Sequence, residues 1–286
     1  MIQYLYLGRT PYDEGLRLQA EMVDLRLQGR IHDVLLLLEH PPVLTLGRNA
    51  KRANILASDE LLAARGVSLH EINRGGDVTY HGPGQLVGYP IFDLRGLQNA
   101  NGGRLGPVDF VRMMEEVLIR LCGVFTIPAG RIPKFTGVWC GLDQAPGSSP
   151  EEPAPTGRKI GAIGIHVSRG ITSHGFAFNV STDLRDFALI NPCGITDRPV
   201  TSLRNEILAA SFSGGSQEIP SLEAVAHQAV RQFGLVFGQP VLAVESLTAL
   251  RSYAQSPLNF PAQDTPLQIP SEVERLIHSK DRPVRG

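Results

Sequence analysis

Two side chains of this sequence have the chemistry to form and discharge a covalent intermediate. Cys193 lies in the turn-like string Ile190-Asn191-Pro192-Cys193-Gly194-Ile195, and Lys159 opens the small-residue run Lys159-Ile160-Gly161-Ala162-Ile163-Gly164. A free thiol titrates near about 8.5 and is mostly protonated at neutral pH, whereas an ammonium held close favours the thiolate. A thiolate made this way is a nucleophile for acyl groups. Considered singly, each residue has a plainer reading. Turns also hold inert thiols, and a lysine at a strand end is more often a solvated charge.

The elements that must bring the pair together read as mixed helix and strand. Residues 13–28 put Leu16, Ala20, Val23 and Leu27 at three- and four-residue steps, which predicts a helix with that apolar face. Residues 34–39 and 43–46 read as strands around His40-Pro41-Pro42, and Ser58 is placed to cap a short helix. Strands are expected at 67–72, 78–80, 85–94 and 135–140, with a hairpin of 160–168 and 171–180 turning at Arg169-Gly170. A helix at 107–122 would turn Phe110, Met113, Met114, Val117 and Leu121 inward, and a last amphipathic helix spans 221–233.

Two stretches carry polar function around this frame. Arg74-Gly75-Gly76-Asp77-Val78-Thr79-Tyr80-His81-Gly82-Pro83-Gly84-Gln85 surrounds an arginine and a histidine with glycines, which let backbone N–H groups approach a ligand closely. It lacks the Gly-Lys-Ser/Thr of a phosphate loop, and no helix pattern follows it as a dinucleotide loop requires. From Lys159 to Asn179, Gly161, Ala162, Gly164, Gly175 and Ala177 are small at or near alternating strand positions. That spacing fits either room for an acyl chain or tight packing on a sheet.

Composition narrows the class. The chain has 286 residues, 42% hydrophobic and 19% charged, with a formal charge of −1. This suits one main domain and argues against a surface built for nucleic acid or an anionic membrane. The start lacks the regions of a signal peptide, and three cysteines without CxxC spacing point to free thiols in a reducing, cytoplasmic setting. We expect a catalytic domain over 1–240 with a mobile proline-rich insertion at about 141–157, and a polar proline-rich extension over 241–286 with a short helix near 271–277. His166 and His174 are eight apart without further ligands, a poor basis for zinc.

Several motifs in order resemble the octanoyltransferases of lipoate biosynthesis. They are Leu38-Glu39-His40-Pro41-Pro42-Val43-Leu44-Thr45-Leu46-Gly47-Arg48, the segment from Arg74 to Val87, Lys159-Ile160, Ser173-His174-Gly175-Phe176-Ala177-Phe178-Asn179-Val180, and Asn191-Pro192-Cys193-Gly194. The resemblance implies an α+β, biotin/lipoate protein ligase-like domain, a mixed sheet flanked by helices. It implies transfer of octanoyl (or lipoyl) from an acyl carrier protein thioester to a lysine of lipoyl domains, those of 2-oxoacid dehydrogenase complexes and the glycine cleavage H protein. No ATP or metal is expected.

Position by position, Cys193 matches the family nucleophile and Lys159 its partner. Arg74, Gly75, Gly76, Asp77, Val78, Thr79, Tyr80 and His81 match a substrate-binding segment, as do Ala162, Ile163 and Gly164 and Gly175, Phe176 and Ala177. The first segment is expected at the mouth and the other two around the acyl pocket, with Lys159 or His81 taking the acceptor's proton. Three other readings compete: an ATP-dependent lipoate or biotin ligase of the same fold, a cysteine amidase or hydrolase with a histidine base, and a non-catalytic carrier-protein binder.

Overall fold

In a computed structural model of the protein the described residues are 1–98, 102–142, 157–191, 198–211, 218–255 and 267–268. Ile2–Arg9 form β1, Tyr12–Leu27 α1, Asp33–Glu39 β2, Val43–Leu46 β3, Asp59–Ala64 α2, Ser68–Glu71 β4, Val78–His81 β5, Gln85–Ile91 β6 and Leu97–Gln98 β7. Pro107–Val124 form α3, Ala129–Ile132 β8, Phe135–Cys140 β9, Arg158–Ser168 β10, Ile171–Asn179 β11, Leu203–Ser211 α4, Leu222–Phe237 α5, Val241–Ala243 β12, Leu247–Tyr253 α6 and Leu267–Gln268 β13.

Strand β2 has no polar residue between Asp33 and Glu39, and its Val34 to Leu38 are fully buried. A strand apolar on both sides must lie inside a sheet covered on both faces. It lies between parallel β1 and antiparallel β6 in a mixed sheet ordered β12-β1-β2-β6-β11-β10-β9-β8. Helices α3 and α5 cover one face, with Phe92, Phe110, Phe233 and Phe237 stacked and edge-on between them. Helices α1 and α6 cover part of the other through Leu18, Met22 and Leu250. A smaller sheet, β4-β3-β5, stands beside that second face.

The expected apolar face of α1 is corrected here. Ala20 is exposed and Leu16 only partly buried, whereas Tyr12, Gly15, Leu18, Gln19 and Met22 face the sheet. Two of these inward residues are small or polar for a reason. A side chain at Gly15 would meet the His40 ring at 3.0 Å, and Gln19 Oε1 accepts the His174 amide at 2.7 Å. In α3, by contrast, all five expected inward residues are fully buried. Of the 141–157 insertion only Gly141, Leu142 and Gly157 are described, and the expected helix near 271–277 lies outside the described residues. The chain just past residue 240 joins the core: β12 pairs with β1, and α6 buries Leu250. Among the described residues no helix is long and apolar enough to cross a membrane.

A buried ionic cluster ties α3 to the edge of the main sheet. Glu115 and Glu116 are fully buried; Arg112 and Arg131 pair with Glu115 at 2.7 and 3.0 Å, and Arg120 and Arg131 with Glu116 at 2.9 Å. Glu115 Oε1 also accepts the Gly137 amide of β9 at 3.0 Å. Removing one partner of such a group strands a desolvated charge. Glu115→Ala should therefore destabilise by about 3–5 kcal/mol, seen as a lower urea midpoint at unchanged slope.

Candidate active site

A cavity of about 420 Å³ opens on the second face of the main sheet, between that face, the small sheet and the start of α1. Its floor follows from register and the two-residue alternation of strands. Asn179 of β11 stands opposite Gln85 of β6; the next position on the same face joins Ala162, Ala177 and Val87 across three strands; the one after brings Gly164, Gly175 and Tyr89 together. Opposite-facing Phe178 enters the core beneath α5, and Phe176, although it borders the cavity, stacks its ring on Phe233 of α5.

Glycine is required where other backbone lands on this floor. A Cβ at Gly164 would lie 2.7 Å from the Gly75 carbonyl oxygen, and one at Gly175 would strike the Gly88 carbonyl and sit 2.5 Å from Pro90 Cδ. Both glycines thus permit close approach of chain to chain, while Ala162 and Ala177 leave the open space. The neighbouring His174 holds a left-handed φ of 56°, its Nε2 2.7 Å from Asn73 Oδ1.

Lys159 lines the cavity. Its N–H donates to Pro199 O and its carbonyl accepts from Thr201 N–H, both at 2.9 Å, so a short parallel bridge with Val200 fixes its backbone. The ammonium lies 5.2 Å from the centroid of the buried Trp139 ring. Gly137, with φ +127°, makes room for it: a Cβ there would sit 2.6 Å from both Lys159 Cε and Gly161 O. The Arg198 guanidinium covers Phe135 at 4.6 Å.

Cys193 lies outside the described residues, but its flanks do not. Ile190 bridges Ile55, and the Asn191 amide donates to Asn54 O at 2.7 Å; on the other side residues 199–201 pair with Lys159. Cys122 and Cys140 are fully buried, and burial pushes the Cys122 thiol well up, so it is a poor nucleophile.

A polar chain runs under the cavity. Asn179 Nδ2 donates to Thr201 O, Gln85 Nε2 donates to Asn179 Oδ1, and Gln85 Oε1 accepts from His81 Nδ1, at 2.9, 2.9 and 2.8 Å. These partners assign His81 the Nδ1–H tautomer. Its buried ring is lowered to about 3, by desolvation first and His40 next, so it resists the proton offered to a general base. Asp77 accepts from Asn54 Nδ2 at 2.6 Å and from the Val78 amide. Arg74 directs its guanidinium to Thr45 O at 2.8 Å and to Gly75 O at 3.0 Å.

Burial also lowers His40 and His174 to about 4. Unfolded imidazoles titrate near about 6.5. The stability these three histidines confer by staying neutral is therefore complete above pH ~6.5 and is lost as pH falls through their folded values. Near pH 5 the slope reaches at most about 4 kcal/mol per pH unit. Urea midpoints should fall steeply between pH 7 and pH 5.

Of the residues expected at the site, Lys159, Arg74, Gly76, Asp77, Val78, Thr79, His81, Ala162, Ile163, Gly164, Gly175, Phe176 and Ala177 line the cavity. Gly75 and Tyr80 do not: the Gly75 amide donates to Ile165 O at 2.8 Å, and the buried Tyr80 turns its hydroxyl to Asp186 at 2.9 Å. Sequence reasoning missed Tyr12, Tyr89, Trp139 and Gly137, although a lone glycine inside a predicted strand marks a close approach.

The family model for the lipoyl protein ligase A/B catalytic domain matches residues 11–233. A protein named octanoyltransferase from Acidobacterium capsulatum is 57% identical over 247 residues, 86% of this chain and 94% of its own length. One of the same name from Koribacter versatilis is 50% identical over 281 residues, 98% of each chain. Among solved structures, a putative lipoate protein ligase from T. acidophilum is similar at a TM-score of 0.60 and 15% identity, covering 88% of this chain and 92% of its own. A lipoate-protein ligase A bound with ATP is similar at 0.59 and 16%, with the same coverage.

Proposed function

The chain belongs to the lipoyl protein ligase A/B catalytic family as one of its octanoyltransferases, and from that premise we propose that Cys193 and Lys159 carry the transfer through a cysteine acyl-enzyme. The donor is the octanoyl thioester of an acyl carrier protein. The acceptor is a lysine of a lipoyl domain, in 2-oxoacid dehydrogenase complexes and the glycine cleavage H protein. A catalytic thiol suits a reducing, cytoplasmic setting.

In the first half-reaction the Cys193 thiolate attacks the thioester carbonyl, a new carbon–sulfur bond forms, and the carrier's carbon–sulfur bond breaks. The Lys159 ammonium, having sustained the thiolate, gives its proton to the departing carrier sulfur. In the second, the neutral acceptor amine attacks the acyl-enzyme. A carbon–nitrogen bond forms, Cys193 leaves as thiolate, and Lys159 takes the amine's proton, which restores its charge. Thioester to amide is downhill, so neither ATP nor metal is needed.

The observation that carries this reading is that Lys159 lines an apolar-floored cavity and its backbone is bridged to Val200, seven residues after Cys193 in the sequence. Asn191, two residues before Cys193 in the sequence, is held by its amide bond to Asn54 O. Incubation with octanoyl carrier protein and no ATP should yield an octanoyl adduct by intact mass, which an apo lipoyl domain discharges. An ATP requirement would favour the ligase reading, and release of free octanoate faster than transfer would favour a hydrolase.

Gly137→Ala supplies a further check. A methyl group there sits 2.6 Å from both Lys159 Cε and Gly161 O, so the lysine stem and the β9–β10 seam that carries it must shift. A misplacement of about 1 Å costs on the order of 10²-fold in rate, so transfer should fall by about that factor in steady-state assays.

A further inference from the structure

We propose that Asn179 is an oxyanion donor for the transfer, through the Nδ2 hydrogen that it does not give to Thr201. The inference rests on the transfer reading above, in which Cys193 and Lys159 act on the acyl carbonyl.

The Asn179 amide has one orientation. Thr201 O can only accept, so the Asn179 atom 2.9 Å from it is Nδ2, and Oδ1 lies on the other side. Oδ1 then takes its hydrogen from Gln85 Nε2 at 2.9 Å, and the second Gln85 hydrogen goes to Tyr80 O at 3.2 Å. Gln85 has no donor left. Tyr89, also at the cavity, has none either: His40 Nδ1–H donates to Thr10 O at 2.7 Å, so His40 Nε2 accepts the Tyr89 hydroxyl at 2.6 Å.

Asn179 differs from both. It is buried, it lines the cavity, and among the described residues its Nδ2 has no partner besides Thr201 O, which leaves one of two amide hydrogens uncommitted. A buried N–H without an acceptor is destabilising, and a group that brings the acceptor is held by it. Thr201 also ties this amide to the lysine, since its N–H donates to Lys159 O at 2.9 Å while its carbonyl accepts from Asn179. Phe187 and Val200, on either side of Cys193 in the sequence, line the same cavity as Lys159 and Asn179. The Thr201 hydroxyl donates to Glu206 Oε1 at 2.6 Å, and Glu206 pairs with Arg158 at 2.9 Å. An amide held in this way is preorganised and meets a developing charge without turning.

As the Cys193 sulfur bonds to the thioester carbon, the carbonyl π pair moves onto oxygen, and the Nδ2–H bond to that oxygen strengthens. The pair returns as the carrier sulfur leaves with the Lys159 proton. Discharge repeats the cycle, with the acceptor amine as nucleophile and the Cys193 sulfur as leaving group.

Single-turnover loading from octanoyl carrier protein and discharge to an apo lipoyl domain test the assignment. Asn179→Ala should lower both maximal rates about 10²–10³-fold, with the half-saturating carrier concentration within about threefold of wild type. The inflection of Cys193 alkylation should stay at its wild-type pH, because the ammonium that sets it is untouched. Octanal adds to the thiol as a hemithioacetal, in which sulfur bonds to carbon and oxygen takes a proton, and its affinity should fall about tenfold. Asn179→Ser serves in place of Asn179→Ala if the latter does not fold. Maximal rates within about threefold of wild type in a folded variant, or an unchanged octanal affinity, would overturn the assignment. Slowed loading with the inflection moved up, as in Lys159→Met, would overturn it too and make Asn179 an anchor of the Lys159 backbone. A wild type that takes no octanoyl from the carrier would instead overturn the transfer reading.

Discussion

Cys193→Ala is expected to lower transfer by more than about 10³-fold and to leave no octanoyl on the protein after incubation with octanoyl carrier protein. The size of the effect follows from the route. With the sulfur gone, the acceptor amine would have to attack the carrier thioester directly, and the two partner proteins would have to occupy the site together. Neither remaining thiol described in the fold offers a substitute, since Cys122 and Cys140 are fully buried. Intact mass followed by peptide mapping is the decisive measurement. Octanoyl found on the alanine variant, or on Cys122 or Cys140 of the wild type, would remove Cys193 from the mechanism.

Lys159→Met should slow transfer by about 10²–10³-fold while keeping a folded cavity. Its effect on the thiol has a fixed sign. An ammonium beside a thiolate lowers the thiol's pKa, so its loss must move the inflection of Cys193 alkylation toward higher pH, to about 8.5. Iodoacetamide rates against pH read this without any substrate. Lys159→Arg then separates the two roles of the lysine. A guanidinium keeps the charge but does not deprotonate in this range, so the low alkylation inflection should persist while both proton transfers, and with them loading and discharge, slow. An unshifted alkylation profile in Lys159→Met would make the residue structural.

The sequence disclosed local features best. The Arg169-Gly170 turn was legible because its two left-handed residues, with φ of 52° and 86°, suit a two-residue hairpin. Ser58 caps α2 through the Leu61 amide, as its place before an acidic first turn suggested. What stayed hidden depends on distant partners. The inward face of α1 is set by His40 and His174, and the edge strand β8 has only four residues between prolines. Arg74 lines the cavity as the resemblance implied, and its guanidinium also reaches Thr45 O at 2.8 Å, a tie to the small sheet that no motif records. Cavity residues such as Tyr12 and Tyr89 converge from separate elements and share no spacing that a motif could record.

The Glu115 contact to the Gly137 amide gives the long helix a hand in chemistry it never touches. Gly137 cradles the Lys159 stem, so the ammonium's place in the cavity is inherited from the seating of α3 on the opposite face of the sheet. Selection for a tighter hydrophobic centre between α3 and α5 would therefore register as a shifted inflection of Cys193 alkylation. Thermostabilised variants of this protein are best sorted by that inflection before they are sorted by melting temperature.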